Sequence, residues 1–223
     1  MIKNIHKLNF TKSELFNRSI IISIAHAIMC SVYPELSYEN SWDGINYNLQ
    51  DSCGGRGTIT FYNSYCVGAF RNENSVSYNN KIDYSAFLKN VPDTLVKLAR
   101  EETLQYLLEE VNDKIEPSIT TFMWNVGDDM YSNDDIDNFN ENSGNILERH
   151  YLKEKDLIGS LIDYYEMNES QVHLLQKLYK IKLENPDKKI IIDENDINLA
   201  GSDISIEETL ESFSELNIFY NKK

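Results

Sequence analysis

The sequence predicts an α+β protein: a small antiparallel meander sheet of about four strands packed by helices, followed by a smaller, mostly helical unit. Three observations carry this. Residues 45–71 fall into short runs of alternating side chains separated by turn residues, helical patterns flank them, and from residue 146 onward the periodicity is almost wholly helical. The expected division is an α+β domain at 1–126, an acidic linker at 127–145 and a helical, acidic unit at 146–223.

Thr11 and Glu14 fit a capping box, which places a helix start at residue 12. The helix expected over 12–32 is apolar nearly all round, with Leu15, Phe16, Ile20, Ile21, Ile22, Ile24, Ala25, Ile28 and Met29, and Pro34 ends it. Such a helix has a face to spare for a partner, including a second copy of the chain. Its His26 has no motif around it and reads as a hydrogen-bonded core histidine.

The meander follows. Ile45, Tyr47 and Leu49 alternate with Asn46, Asn48 and Gln50; residues 51–56 hold two adjacent glycines and must turn; Ile59 and Phe61 then share one face of a strand over 57–62. Asn63 and Ser64 make a second turn, and the run at 65–71 is apolar on both faces, as in a covered central strand. Gly68 inside it marks a bulge or a close approach.

Residues 72–80 read as a polar loop, 83–89 as a short helix, and Pro92 as the start of a helix reaching about residue 114. That helix would carry Leu104, Leu107, Leu108, Val111 and Ile115 on its apolar side and Glu101, Glu102, Glu109 and Glu110 in water. Phe122, Trp124 and Val126 alternate with Thr121, Met123 and Asn125 in a fourth strand, 119–126. Residues 127–145 contain five aspartates and few aliphatic side chains, the mark of a connector and of a preferred proteolytic site. Beyond it come helices near 152–165 and 169–183, a turn at Asn185, Pro186 and Asp187, a short extended piece at 188–193, a helix capped by Ser205, and an extended end near 216–220.

Charge divides the 223-residue chain. The net charge is −15, yet residues 1–100 carry ten Lys and Arg against eight Asp and Glu, and the rest carry eleven against twenty-eight. Such a surface repels nucleic acid and anionic membrane and suits a basic protein partner; the plainer role of net charge is solubility. Hydrophobic content of 41% provides for a core. Three separated cysteines, Cys30, Cys53 and Cys66, with no secretion signal at the N-terminus, indicate reduced thiols in a cytoplasm, and the apolar run at 20–32 is too short to span a membrane. Heavy use of Asn, Ile, Lys and Tyr points to an AT-rich genome, that of a low-GC bacterium or its phage.

Catalytic signatures are absent. The glycines near Arg56 lack the lysine and the following helix of a phosphate loop. Cys53 has no histidine beside it in sequence, and the cysteine spacing suits no zinc site. The window 137–148 departs from a calcium loop at Phe139 and Asn142. No cofactor or metal is therefore expected.

Two readings of function remain. The first is a cytoplasmic bacterial or phage binding protein that inhibits a macromolecular partner by occlusion, of the toxin-immunity or anti-defence type. Its contact would use Asp134, Asp135 and Asp137 for steering and aromatic anchors among Tyr131, Phe139, Tyr151, Tyr164 and Tyr165. Asp134 and Asp135, placed in the connector, would then tolerate reversal to lysine. The alternative is an enzyme or small-molecule sensor in which Arg56, Arg71 and Asp43 hold a phosphate or carboxylate and Trp42 offers a stacking surface. Against that, Asp43 can simply pair with an arginine while Trp42 sits in the core.

Overall fold

The computed structural model describes residues 4–111, 113–201 and 206–221. It is an α+β fold that divides into two compact units. The first comprises Met1–Leu15 and Ile45–Tyr151, the second Phe16–Gly44 and Leu152–Lys223. This corrects the boundaries expected at 126 and 146, because most of the first long helix is grouped with the C-terminal helices.

Elements follow in chain order: β1 (His6–Thr11), α1 (Lys12–Met29), β2 (Asn40–Asp43), β3 (Asn46–Gln50), β4 (Gly55–Tyr62), β5 (Tyr65–Asn72), α2 (Val76–Asn79), α3 (Asp93–Glu101), β6 (Leu108–Val111), β7 (Lys114–Pro117), β8 (Thr121–Val126), β9 (Asp129–Ser132), α4 (Ile136–Asn142), α5 (Glu154–Tyr165), α6 (Glu169–Glu184), β10 (Ile190–Ile192), α7 (Glu194–Ala200), α8 (Ile206–Glu215) and β11 (Ile218–Tyr220). The main sheet has seven strands in the order β1-β9-β8-β5-β4-β3-β2, so four was an undercount.

The meander β3-β4-β5 is antiparallel, in the regular register Tyr47↔Ile59 and Ile59↔Gly68, and β8 pairs with β5 as expected. Gly68 is therefore no bulge. A Cβ on Gly57 would lie 2.2 Å from Phe70 Cδ1, so that glycine is required by close packing, while one on Gly68 would meet the flexible end of Met123, Cε at 2.5 Å. One face of the sheet carries Val67, Ala69, Phe122 and Trp124 into a core with Leu95, Ala99, Leu104 and Leu107. On the other face Phe70 meets Phe139 of α4 edge-on, with centroids 5.6 Å apart.

Two expectations in this unit fail for local reasons. The helix expected over 92–114 ends at Glu101, where a 3-10 segment (Thr103–Leu107) buries Thr103, Leu104 and Leu107. Thr103 bonds the Thr60 hydroxyl at 2.6 Å, so contact with the sheet overrides helical periodicity. The chain then folds back as the β6-β7 ribbon, with Asp113 at φ 63 in its turn. The expected linker at 127–145 is likewise folded. Gly127 and Asp128 form a two-residue turn from β8 to β9, Gly127 at φ +65, and β9 pairs with β1 in turn. Asp135 caps α4 by accepting from Asn138 N at 3.0 Å. A paired strand and a capped helix give a protease little to grip, which removes the ground for expecting cleavage there.

In the second unit the structure of α1 leaves no apolar face to spare: Ile20, Ile21, Ile22, Ile24, Ala25, Ile28 and Met29 are all buried. That withdraws the ground for self-association through this helix. The capping box of Thr11 and Glu14 is present, with Glu14 N donating to Thr11 Oγ1 at 3.1 Å and Thr11 N to Glu14 Oε2 at 2.9 Å. Helix α6 has a second capping box, on Asn168 and Gln171, and its buried Lys182 donates to the carbonyls of Pro186 and Lys188, closing the turn foreseen there. The strands β10 and β11 pair in parallel, and α7 was not anticipated. The expected cap Ser205 lies outside the described residues. Among the described residues no helix is long and apolar enough to cross a membrane.

His26 is a core histidine, as read from the sequence. Its Nδ1 lies 3.2 Å from the Tyr165 hydroxyl and its Nε2 3.3 Å from the Ser37 carbonyl. Burial pushes its pKa below the ordinary 6.5, partly opposed by the Ser37 carbonyl. The folded state thus holds the neutral ring, and on acidification the unfolded chain takes up the proton first. Stability is expected to be fully present above about pH 6.5 and to fall as pH drops from there through the folded pKa. Thermal melts at mildly acidic and neutral pH should show this slope in the wild type and a shallower one in His26→Gln.

Candidate functional site

Of the four residues proposed as a ligand site, the structure brings two together. Arg56 on β4 and Arg71 on β5 are direct cross-strand partners, so their side chains leave the same face of the sheet. Arg71 is only 5% exposed. Its guanidinium faces Glu73 at 3.5 Å and Glu109 at 3.6 Å, while its Nε and Nη1 and the Nε of Arg56 are buried without a hydrogen-bond acceptor. Trp42 and Asp43 belong to the second unit. Trp42 is core there: 8% exposed, it donates its indole N–H to Ser23 Oγ at 2.8 Å and meets Phe16 edge-on. Asp43 is exposed at the end of β2.

Sequence reasoning missed the acids and the tyrosine that complete the arginine pair. Glu109 lies on β6, where its Oε1 accepts from the Tyr78 hydroxyl at 2.9 Å. Burial alone would raise its pKa; the hydroxyls of Ser118 and Tyr78 and the charges of Arg71 and Arg56 together hold it below the usual carboxylate range. A signal existed. Asn112 and Asp113 between Val111 and Lys114 are turn residues inside the supposed helix.

Beside this cluster lies a cleft of about 410 Å³. Its lining includes Asp83, Glu109, Glu110, Glu116, Tyr78, Tyr84 and Lys81. Glu109 and Glu116 are cross-strand partners on the β6-β7 ribbon, a like-charge pairing that costs stability unless a cation stands nearby. The Asp83 carboxylate accepts from Ser85 N at 2.8 Å, and the Ser85 hydroxyl first and that N–H second lower its pKa from the ordinary carboxylate value. Leu108 and Ile115, 40% and 73% exposed, lie on the same ribbon. In chemical terms the acidic, tyrosine-lined cleft suits an ammonium or guanidinium group.

The residues expected to meet a partner are mostly committed within the fold. Phe139 is fully buried and Tyr165 is 5% exposed. Asp134 accepts from Thr121 Oγ1 at 2.8 Å and from Asn142 Nδ2 at 3.3 Å, and Asp135 is the α4 cap, so neither is a free connector charge. Tyr131 packs against the sheet core, and Tyr151 stacks on Phe10 at 5.2 Å with its hydroxyl pKa pushed up by burial. Asp137 is exposed on α4. Tyr164 is 44% exposed, its hydroxyl 3.3 Å from Glu39 and its ring against Tyr165. The reversal of Asp134 and Asp135 to lysine would therefore disturb α4 and β8 rather than test an interface.

All three cysteines are free thiols, Cys53 exposed and the others buried; burial raises Cys30 to about 11 and Cys66 further, which disfavours thiolate at either buried site. Among the described residues no group of three His, Cys, Asp or Glu side chains is placed to hold a metal ion. Comparison of the chain with family models, curated proteins and solved structures finds no match in any of the three. The fold and site thus define an α+β protein with a large antiparallel sheet and an acidic, tyrosine-lined cleft.

Proposed function

We propose that the protein is a cytoplasmic binding protein of bacterial or phage origin that occludes a basic surface of another protein, in the manner of a toxin-immunity protein or an inhibitor of a defence enzyme. The observation that supports this reading is the cleft of the first unit. Four acidic residues and two tyrosines line it, and exposed Leu108 and Ile115 lie outside the lining on the same ribbon. Lysine or arginine side chains of the partner would enter between the tyrosines, while the apolar pair would carry much of the affinity. This moves the proposed contact from 131–139 and Tyr151, Tyr164 and Tyr165 to the β6-β7 ribbon and its neighbours.

The test uses Glu110 and Glu116, which are exposed and hold no residue of the core. Reversing both to lysine is expected to leave the far-UV circular dichroism spectrum unchanged. Association with the partner should slow by about tenfold or more at low salt, the scale of electrostatic steering. Raising salt should slow the wild type and have little effect on the variant. Equal association rates for the two proteins at low salt would refute the reading.

A further inference from the structure

We infer that the Arg56–Arg71 pair is a binding site for a small oxyanion, a carboxylate or a phosphate group, which shares Glu109 with the cleft proposed to meet a partner protein. Arg56 and Arg71 are directly opposite each other on β4 and β5 with side chains on one face, and like charges in that position repel unless an anion is shared between them. The neighbouring acids neutralise the charge without meeting the donors. Glu73 and Glu109 stand 3.5 and 3.6 Å from Arg71, whereas charge-assisted N–H···O bonds run to about 2.7–2.9 Å. Three buried nitrogens, Nε and Nη1 of Arg71 and Nε of Arg56, consequently lack an acceptor. A buried donor left unmet is costly, and a guanidinium matches two oxygens on one centre.

The surroundings allow entry. Arg71 forms the closed wall, with a side chain 6% exposed, while the side chains of Glu73 and Glu109 are 42% and 33% exposed and can turn toward water as an oxyanion takes their place. Glu109 is the nearer competitor in function, since it is also held by Tyr78. Removing its charge while keeping its shape should therefore favour the anion.

The experiment follows the arginine Nε–H resonances of the full chain by nitrogen-15 NMR. Inorganic phosphate and acetate are titrated separately at constant ionic strength, with chloride as the control. The Arg56 and Arg71 signals are expected to shift saturably with at least one of the two, and which one acts identifies the group recognised. Affinity should rise about tenfold in E109Q, the loss of one competing charge contact, and the shifts at Arg71 should vanish in R56Q. R71K, which keeps the buried charge, guards against a variant that fails to fold and should weaken binding. Signals unmoved by phosphate and acetate, shifts matched by chloride, or an E109Q affinity no higher than wild type would each overturn the inference.

Discussion

Phe139→Ala is expected to destabilise the first unit by about 3–5 kcal/mol, the range for truncating a fully buried aromatic ring. The ring is 0% exposed and packs edge-on against Phe70, itself fully buried on β5. Phe70 in turn fills the space that Gly57 leaves by lacking a side chain. Truncation at 139 would open a cavity beneath a residue whose other side is already tightly packed, so collapse can recover little. Helix α4 has seven residues and cannot hold itself without this anchor. A thermal melt followed by circular dichroism should show a midpoint lowered by on the order of 10 °C. An unchanged midpoint together with a loss of partner binding would instead return Phe139 to the role of an exposed anchor.

Trp42→Ala should cost the second unit a similar amount, about 3–5 kcal/mol. Its indole fills core beside Phe16, and its N–H donates to Ser23 Oγ, which itself bonds the Ser19 carbonyl at 2.8 Å. Trp42→Phe separates the two contributions. It keeps most of the packing and loses the hydrogen bond, so its cost should be about 1–3 kcal/mol, the penalty for a buried polar group left without its partner. The backbone N–H of residue 42 would still reach Glu215 Oε2, at 2.7 Å in the wild type. Denaturant unfolding of the three proteins measures the order wild type, Phe, Ala. If Trp42→Ala retained wild-type stability, the indole would be a ligand surface after all.

Both results turn on where the sequence was legible. The meander was readable because its alternation and turns are local: Asn63 and Ser64 can only join two strands, and the register follows from the pleat. The capping box at Thr11 was readable for the same reason. The division into units was not, because the near-uniform apolarity of α1 says that it is buried without saying by what. The stretch after Gly127 misled through composition. Its aspartates are spent on a two-residue turn, a helix cap and a bond to Thr121, each of which needs an Asp or tolerates one, so polarity there reflects local hydrogen bonding. Of the site, Arg56 and Arg71 were visible as charges bounding a small sheet, and strand register was enough to make them neighbours. Glu109 was hidden because a helical periodicity that looked clean through Leu107 and Leu108 yields to a buried Thr103 whose partner is 43 residues earlier in the chain.

The central claim, that the acidic cleft grips a basic protein, is tested most directly by affinity capture from the native host with the wild type and with the Glu110→Lys/Glu116→Lys variant in parallel. The expected result is one stoichiometric basic protein retained by the wild type at low salt, released as salt rises, and lost from the variant. Retention of the same protein by both, unaffected by salt, would contradict it.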